Sequence, residues 1–413
     1  MLKEGVARNA RVTREQAGAP GDWDGRWLTA AIIAFYYTLL CGLADVFGQP
    51  PYLIWRKLGV PAWDIPFLDL IYLPASVESM HAGYNPRVEN PFDPLHRPFN
   101  YPHWWLYGEN VGLTRHTYVF FGMAIGLLVF VGALFVLGRL SKMEGVVAGL
   151  FLVAPNFIFD VERGNIDCIL FLLMAGVLAA RRWPLIASLL LIIGGVLKFY
   201  PAAGFLALLA PPWRRNITYM AVGTVVLASI FWNMRAELSN IAALAPYQWE
   251  RAMGSATPGL YLCALYHWKI SSGIIFWSGT VLLVVVLLLA IRFRPAIDLL
   301  PGCERELFAF RLGTGLYVGA FALGCNLDYR IIVLTFCFPL LFQLRRIKGI
   351  VNRWATTALV LILAYAYWAF VITPGSELTP AKQVVTWGIV FCLTGLWWAM
   401  REWQPEKIGI IKG

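Results

Sequence analysis

Residues 160–201 read DVERGNIDCILFLLMAGVLAARRWPLIASLLLIIGGVLKFYP, and this stretch decides the fold. Charged and amide residues precede an apolar run that is interrupted only by Arg181 and Arg182 and that ends at Lys198. The pattern predicts a helical hairpin in a membrane, with the two arginines at one surface and both polar ends at the other. Polar groups gathered at one end of a membrane hairpin are costly, so they indicate a functional site.

The composition is typical of a helical membrane protein. Of the 413 residues, 59% are hydrophobic and only 14% are charged, whereas soluble domains contain about 25% charged residues. The formal net charge of +10 comes mostly from short basic segments between apolar runs. The positive-inside rule explains such segments, so nucleic acid is not an expected partner.

Apolar runs predict an all-α polytopic protein with about 12 membrane spans. The candidate spans are residues 27–46, 117–138, 146–161, 166–180, 184–198, 201–213, 217–233, 270–291, 306–325, 331–344, 354–372 and 383–400. They form one predicted transmembrane domain, 27–400, which a segment at 1–26 precedes and a tail at 401–413 follows. The two long polar interruptions, 47–116 and 235–269, are predicted loops, and the first contains helix-like segments suited to the membrane interface.

The distribution of basic residues assigns the two sides. Alternate short loops hold most of the arginines and lysines, which predicts a cytoplasmic N-terminus, an uncleaved first span and a cytoplasmic tail. Both long loops, the Asp160–Asp167 segment, Lys198 and the segment 325–330 then lie on the outer side. A transporter would show polar residues near the membrane midplane in two related halves. This sequence instead gathers them at one surface, as expected for chemistry at the outer leaflet.

Several motifs in this order resemble the GT-C glycosyltransferases, in particular the bacterial polyprenyl-phosphate-dependent family that includes the mannosyltransferases (glycosyltransferase family 87). The resemblance covers about residues 69–330. The motifs are RGNID (163–167), GGVLKFYP (194–201), NPFDP (90–94), FNYP (99–102) and NLDYRIIVLTF (326–336). The resemblance implies a GT-C-type fold with interfacial helices in the first outer loop and a multi-pass location in the bacterial cytoplasmic membrane, with the active site facing the periplasm.

The resemblance also implies a catalytic carboxylate in the first outer loop, and Asp69 is the residue that aligns with it. Inverting transfer needs a base that takes the proton of the acceptor hydroxyl. Asp64 is a rival for this role, and solvation or capping of a nearby helix is the structural alternative for Asp69. Asp93, in the NPFDP motif, is more typical of a local turn bond.

The leaving phosphate needs cationic or hydrogen-bonding partners, because negative charge develops on it during transfer. The candidates are Lys198, Tyr200, Arg163 and Arg330. Each has a structural alternative: Lys198 can extend to the membrane surface as terminal lysines do. Arg163 can pair with Asp160 or Glu162, and Arg330 with Asp328.

The remaining polar residues are candidates for binding the sugar or the acceptor. They are Asn165, Asp167, Asp328, His96, Tyr101 and His103. Asn165 also fits the N-cap of the helix that follows it. Asp160 and Glu162 could hold a divalent cation, since hard cations favour carboxylate oxygens. The sequence leaves the need for a cofactor open.

The sequence therefore predicts an enzyme that transfers one sugar from a polyprenyl-phosphate-linked donor to a glycan or glycolipid acceptor, with inversion, at the outer face of the membrane. Two other classes of protein fit part of the pattern. One is a flippase or transporter of lipid-linked saccharides, and the other is an outer-leaflet glycan ligase or polymerase. The expected partners are the lipid-linked donor, the acceptor and the bilayer.

Overall fold

The computed structural model describes residues 24–209, 213–244, 249–297, 302–372 and 379–400. The predicted N-terminal segment up to residue 23 and the predicted tail at 401–413 lie outside these ranges. The described chain is mainly helical. Its helical structure and its long apolar helices agree with the all-α membrane protein that the sequence predicts.

The helices follow one another in a single series. The first eight α-helices are α1 (Gly25–Val46), α2 (Pro51–Lys57), α3 (Tyr72–His81), α4 (Tyr118–Leu137), α5 (Lys142–Leu152), α6 (Pro155–Arg163), α7 (Ile166–Ala179) and α8 (Pro184–Leu197). The next eight are α9 (Trp213–Asn233), α10 (Arg235–Leu244), α11 (Thr257–Tyr266), α12 (Ser272–Arg292), α13 (Glu304–Ala322), α14 (Phe338–Arg345), α15 (Ile350–Val371) and α16 (Thr379–Ala399). The 3₁₀ helices are His103–Val111, Tyr200–Leu208, Trp249–Arg251 and Asp328–Cys337.

Within the described ranges, 5 helices are long and apolar enough to cross a membrane: α1, α4, α9 (over Asn216–Asn233), α12 and α15. Helices α5 and α6 form a sixth span if this pair, bent by 54°, counts as one. Large apolar side chains on these helices are open to the surroundings, among them Phe35, Leu127 and Trp277. A contiguous apolar exterior of this kind fits contact with lipid. The number of about 12 spans stays a prediction.

Two of the candidate spans take another form. Most of the run 201–213 is the 3₁₀ helix Tyr200–Leu208, and the run 331–344 divides between the 3₁₀ helix Asp328–Cys337 and α14. A 3₁₀ helix rises about 2 Å per residue, so Tyr200–Leu208 reaches roughly 18 Å against a hydrocarbon core of roughly 30 Å. These segments fill the interior: both 3₁₀ helices pack against α13, which is buried along most of its length.

The predicted hairpin is confirmed as two adjacent antiparallel helices, α7 and α8, joined at Ala180–Trp183. Each has 14 residues, so each is about 21 Å long and shorter than a typical span. Proline at the first position of α8 costs no hydrogen bond there and begins the second helix. The start of α7 and the end of α8 meet at one end of the hairpin, where Lys198 contacts Asp167.

The two predicted outer loops contain short elements that pack on the ends of the helices. In the first loop, α2 and α3 overlap the two helix-like segments of the sequence, 52–60 and 66–80. In the second loop, Ala252–Met253 (β1) pairs antiparallel with Asn326–Leu327 (β2). This pair joins the second loop to the chain just before Asp328.

Candidate active site

A tight turn between α6 and α7 positions the first part of the site. Gly164 ends α6 at φ 56°, in the left-handed region that favours glycine. A Cβ on Gly164 would lie 3.1 Å from the Cβ atoms of both Phe67 and Leu70. The first loop packs this closely because the backbone N–H groups of Phe67 and Asp69 donate to the carbonyl oxygens of Glu162 and Arg163, at 3.1 and 2.9 Å.

These contacts place the Asp69 carboxylate, which is buried, against three donors. Its Oδ1 accepts from Arg97 Nη1 at 2.9 Å and from Arg163 Nη2 at 2.8 Å, and its Oδ2 accepts from Asn165 Nδ2 at 2.8 Å. Burial raises the pKa of Asp69, but Arg163 and Arg97 outweigh burial and hold this pKa below its usual value. Asp69 is therefore ionised at neutral pH, as a general base must be.

Arg97 is fixed by contacts beyond Asp69. Its Nε and Nη2 donate to the Asp93 carboxylate at 3.0 and 2.9 Å, and its Nη2 also donates to the Leu68 carbonyl oxygen at 2.7 Å. Its guanidinium lies 4.6 Å from the centre of the Tyr72 ring. Arg97 was not among the residues that the sequence singled out, although the spacing between Asp93 and Arg97 was a usable signal. Asp93 forms the predicted local turn, accepting from the Arg97 N–H at 2.9 Å.

Arg163 is held far less tightly than Arg97. It pairs with Asp69 and not with Asp160 or Glu162, which corrects the pairing considered from the sequence. Its guanidinium carbon lies 5.9 Å from the centre of the Phe159 ring. Among the described residues, its buried Nε has no hydrogen-bond partner.

The second part of the site surrounds Asp167, in the first turn of α7. Lys198 Nζ donates to both carboxylate oxygens of Asp167 at 2.9 and 2.8 Å, and the Tyr200 hydroxyl donates to Oδ1 at 3.0 Å. Arg330 forms an ion pair with Asp167, with Nε 3.4 Å from Oδ2, and not with Asp328 as considered from the sequence. The three predicted phosphate ligands Lys198, Tyr200 and Arg330 thus meet on one carboxylate.

Asn165 joins the two parts. Its Oδ1 accepts from the Asp167 backbone N–H at 3.0 Å, which confirms the predicted N-cap of α7. Its Nδ2 donates to Asp69. One amide therefore contacts both acidic residues, so Asp69 and Asp167 lie in neighbouring positions of a single site.

The cations lie nearer to the surface than their carboxylate partners. Side-chain exposure is 12% for Arg163, 11% for Lys198 and 13% for Arg330, against 0% for Asp167. Tyr101 lies beside these cations, with its ring centre 5.8 Å from Lys198 Nζ. Burial raises the pKa of Tyr101, and Tyr329, Asp69 and Asp167 raise it further. The site therefore combines partly exposed positive charge with a neutral phenol.

The carboxylates proposed for a divalent cation do not form a metal centre in the described part of the chain. No group of three or more His, Cys, Asp or Glu side chains there could hold a metal ion. Asp160 Oδ2 lies 3.5 Å from Cys168 Sγ, and within the same ranges Asp160 Oδ1 and Glu162 Oε2 have no hydrogen-bond partner. A cation bound with a substrate phosphate stays a prediction.

Three other candidates lie outside these contacts. Asp328 is buried and bound to Lys382 at 3.0 Å and to the Tyr365 hydroxyl at 2.8 Å, and its role in binding a sugar or acceptor stays a prediction. His96 is exposed on a turn at φ 52°. His103 is only partly exposed, and its backbone N–H and Nδ1 both lie 2.8 Å from the Glu237 carboxylate.

Glu237 and Lys382 are two further residues that the sequence did not single out. Glu237, in α10, also forms an ion pair with Arg87 and so connects the second long loop with the first. Lys382, in α16, supplies the partner of Asp328. Both pairs join residues far apart in the chain, and no local motif signals such a contact.

No family model, curated protein or solved structure matches this chain.

Proposed function

We propose that this protein is an inverting glycosyltransferase that moves one sugar from a polyprenyl-phosphate-linked donor to a glycan or glycolipid acceptor. The observation that supports this function most is that a candidate base and a cluster of cations lie in one site. An ionised, buried carboxylate, Asp69, lies beside a cluster of partly exposed cations, Lys198, Arg330 and Arg163. A base and an anion-binding cluster are the two groups that this reaction needs.

In this proposal the cations bind the donor phosphate. Lysine offers a compact charge, and arginine offers several N–H donors that match phosphate oxygens. Lys198, Tyr200 and Arg330 already converge on one anion, the Asp167 carboxylate. A phosphate that binds beside Asp167 would take up hydrogen bonds from the partly exposed Lys198 and Arg330 side chains.

Asp69 supplies the base. As the acceptor oxygen bonds to the anomeric carbon, its proton passes to the Asp69 carboxylate. The bond between that carbon and the phosphate oxygen breaks with its electron pair, and the polyprenyl phosphate leaves. A single displacement of this kind inverts the anomeric carbon. Asn165, Arg97 and Arg163 hold the Asp69 carboxylate in place before the reaction.

The location and complete topology belong to the same proposal. A GT-C-type fold with about 12 spans in the bacterial cytoplasmic membrane, a cytoplasmic N-terminus and an active site facing the periplasm would bring Asp69 to the leaflet where donor and acceptor meet. The unequal distribution of arginine and lysine between the short loops supports this orientation.

The direct test is transfer by the purified protein. Protein in nanodiscs is incubated with radiolabelled polyprenyl-phosphate sugars and a panel of glycan and glycolipid acceptors, and the products are separated. We expect label in an acceptor for one donor class, inversion at the anomeric carbon, and loss of both in Asp69→Asn.

Three results would overturn the proposal. The first is intact, folded protein that transfers no sugar from any monophosphate-linked donor. The second is movement of an unaltered lipid-linked saccharide across proteoliposomes that Asp69→Asn leaves unchanged, which would indicate a flippase. Transfer only from diphosphate-linked glycans would indicate a ligase or polymerase.

A further inference from the structure

Arg97 and Arg163 both bind Asp69 Oδ1, but the structure holds them in very different ways. Arg97 has four hydrogen bonds to oxygen atoms through its guanidinium, of which only one goes to Asp69. The others go to Asp93 and to the Leu68 carbonyl oxygen. Arg163 has one hydrogen bond, to Asp69, and its buried Nε has no partner among the described residues. An unsatisfied buried N–H is costly and marks a group that can gain a partner.

Arg163 also lies near the proposed phosphate site, because Asn165 contacts both its partner Asp69 and the Lys198 partner Asp167. It contacts the ring of Phe159, which packs edge-on against Tyr329 with ring centres 5.4 Å apart. Tyr329 lies next to Arg330 in the chain, and its ring centre is 5.9 Å from Lys198 Nζ. Two adjacent aromatic rings thus separate Arg163 from the phosphate-binding cations. The Arg163 side chain keeps 12% of its surface exposed.

We propose that Arg163 is a switch that leaves Asp69 to bind the donor phosphate, so that donor binding activates the base. The inference rests on the proposed function and adds an order to it: the donor binds first, and the acceptor is deprotonated only afterwards. Arg97 stays in place and keeps the carboxylate oriented. Arg163 is then a donor-binding residue that also controls the proton affinity of Asp69.

The physical reason is the loss of one positive charge at Asp69. Without the donor, two guanidinium groups stabilise the ionised carboxylate and lower its affinity for a proton. When Arg163 pairs with the phosphate, one of these partners is gone and the affinity rises. The acceptor proton then has a stronger base to receive it, while the leaving phosphate gains a cation.

Other charged and titratable groups around Asp69 contribute to its titration and do not move in this proposal. They come from the first loop, from α6 and α7, and from the 3₁₀ helix Asp328–Cys337. They are Tyr72, Asp93, Arg97, Tyr101, Asp160, Glu162, Asp167 and Tyr329. They are common to both states, whereas the donor phosphate brings a negative charge of its own, so the comparison of the wild type with Arg163→Gln isolates the contribution of Arg163.

The test measures proton uptake when the donor binds in the absence of acceptor. A carboxylate whose proton affinity rises takes up protons at acidic pH, so donor affinity must increase as the pH falls. Calorimetry of the full-length protein in nanodiscs, titrated with a polyprenyl-phosphate sugar in buffers of different ionisation enthalpy, counts these protons. The donor is a phosphodiester, whose own charge stays constant in this range.

We expect uptake in the wild-type protein and none in Arg163→Gln or Asp69→Asn. Arg97→Gln is the matched control, because it removes the other guanidinium and should keep the uptake. The acidic limb of a pH profile is the fall in rate towards low pH. In the wild type, the acidic limb of kcat/KM for the acceptor, measured at saturating donor, should lie about one pH unit above the acidic limb of kcat/KM for the donor. At a pH on these limbs, this shift is a tenfold difference in relative rate. In Arg163→Gln the two limbs should coincide.

Several results would overturn the switch. They include donor binding without proton uptake, uptake that persists in Arg163→Gln, and uptake that Arg97→Gln alone abolishes. If Arg163→Gln does not fold, as judged by gel filtration and thermal unfolding, Arg163→Lys replaces it and should reduce the separation of the limbs. Failure of the proposed function gives a different result, since the wild-type protein would then transfer no sugar from this donor.

Discussion

Two groups of ion pairs in this protein are both made of carboxylates and cations, but the cations of one group are partly exposed and the cation of the other is fully buried. The first, the open cluster, consists of Asp69 and Asp167 with Arg97, Arg163, Lys198 and Arg330. The second, the sealed pair, consists of Asp328 and Lys382. In the open cluster every cation has some exposure, from 11% for Lys198 to 27% for Arg97. In the sealed pair the side chains of Lys382 and Asp328 are 0% and 2% exposed.

The sealed pair has other contacts that complete it. Lys382 Nζ also donates to the Glu250 carbonyl oxygen at 3.0 Å and lies 4.3 Å from the centre of the Trp368 ring. Tyr365 donates to Asp328. The open cluster instead leaves Arg163 Nε without a hydrogen-bond partner among the described residues. A charge pair alone therefore does not identify a functional site: exposed cations and unsatisfied donors separate the open cluster from a structural contact.

The largest effect is expected from Asp69→Asn, which removes the proposed base. Asparagine keeps the shape of the side chain, so the protein should fold while transfer falls by about 10²–10⁴-fold. Initial rates with labelled donor and acceptor measure this. The control is Asp64→Asn, because Asp64 is exposed in the same loop, and it should keep transfer within about twofold of the wild type, the spread expected of a surface change. A comparable loss in both variants would place the base elsewhere.

The next effect is on stability and concerns the sealed pair. Lys382→Met leaves the Asp328 carboxylate buried without its cation, which should lower the free energy of unfolding by about 3–5 kcal/mol. Thermal unfolding in detergent measures the change. The double variant Asp328→Leu/Lys382→Met should recover part of the loss, because no buried charge remains. If Lys382→Met instead abolished transfer in fully stable protein, the sealed pair would belong to the active site.

The sequence predicted the parts of the site that are local in the chain. The hairpin followed from the apolar run and its arginine turn, and the N-cap role of Asn165 from its position before α7. The meeting of Lys198 with Asp167 followed from the antiparallel hairpin itself. In each case the distance along the chain fixes the distance in space, because helix geometry is regular.

The sequence did not predict the partners that arrive from distant segments. Arg97 reaches Asp69 through a turn built by Asp93, and Lys382 reaches Asp328 from a helix 54 residues further along. The 3₁₀ form of residues 200–208 was also missed, because an apolar run has the same composition whether it crosses the membrane or fills the interior. Tertiary packing decides both questions, and no local pattern encodes it.

A smaller effect is expected from Lys198→Met, which removes one cation from the open cluster. Loss of a charge-assisted hydrogen bond to phosphate costs about 1.5–3 kcal/mol, so KM for the donor should rise about 10–100-fold. The KM for the acceptor should change little, because Lys198 contacts Asp167 and not Asp69. Steady-state kinetics with each substrate varied in turn separates the two. An unchanged donor KM would leave Lys198 as a partner of Asp167 alone.

The smallest effect is on thermal stability, and it separates the contribution of the Asp69 charge from that of the hydrogen bonds that asparagine could also form. Since the pKa of Asp69 lies below its ordinary value, ionisation of this group stabilises the fold above the unfolded-state pKa of about 3.9. That contribution is lost as the pH falls through the lower pKa of the folded state. Wild-type protein should therefore unfold at a higher temperature than Asp69→Asn near pH 6, and the difference should shrink below about pH 4.

Thermal unfolding of both proteins in detergent between pH 3 and pH 7 measures this difference, with Asp64→Asn as the reference for a change of charge at an exposed position. A constant difference across the whole range would show that hydrogen-bond geometry, and not charge, couples Asp69 to its arginines. The contacts of Asp69 in the open cluster would then be structural contacts, like those of the sealed pair, despite the partial exposure of its cations. A difference that disappears in acid would instead confirm a carboxylate whose proton affinity is set by the two guanidinium groups, which is the property that a regulated base requires.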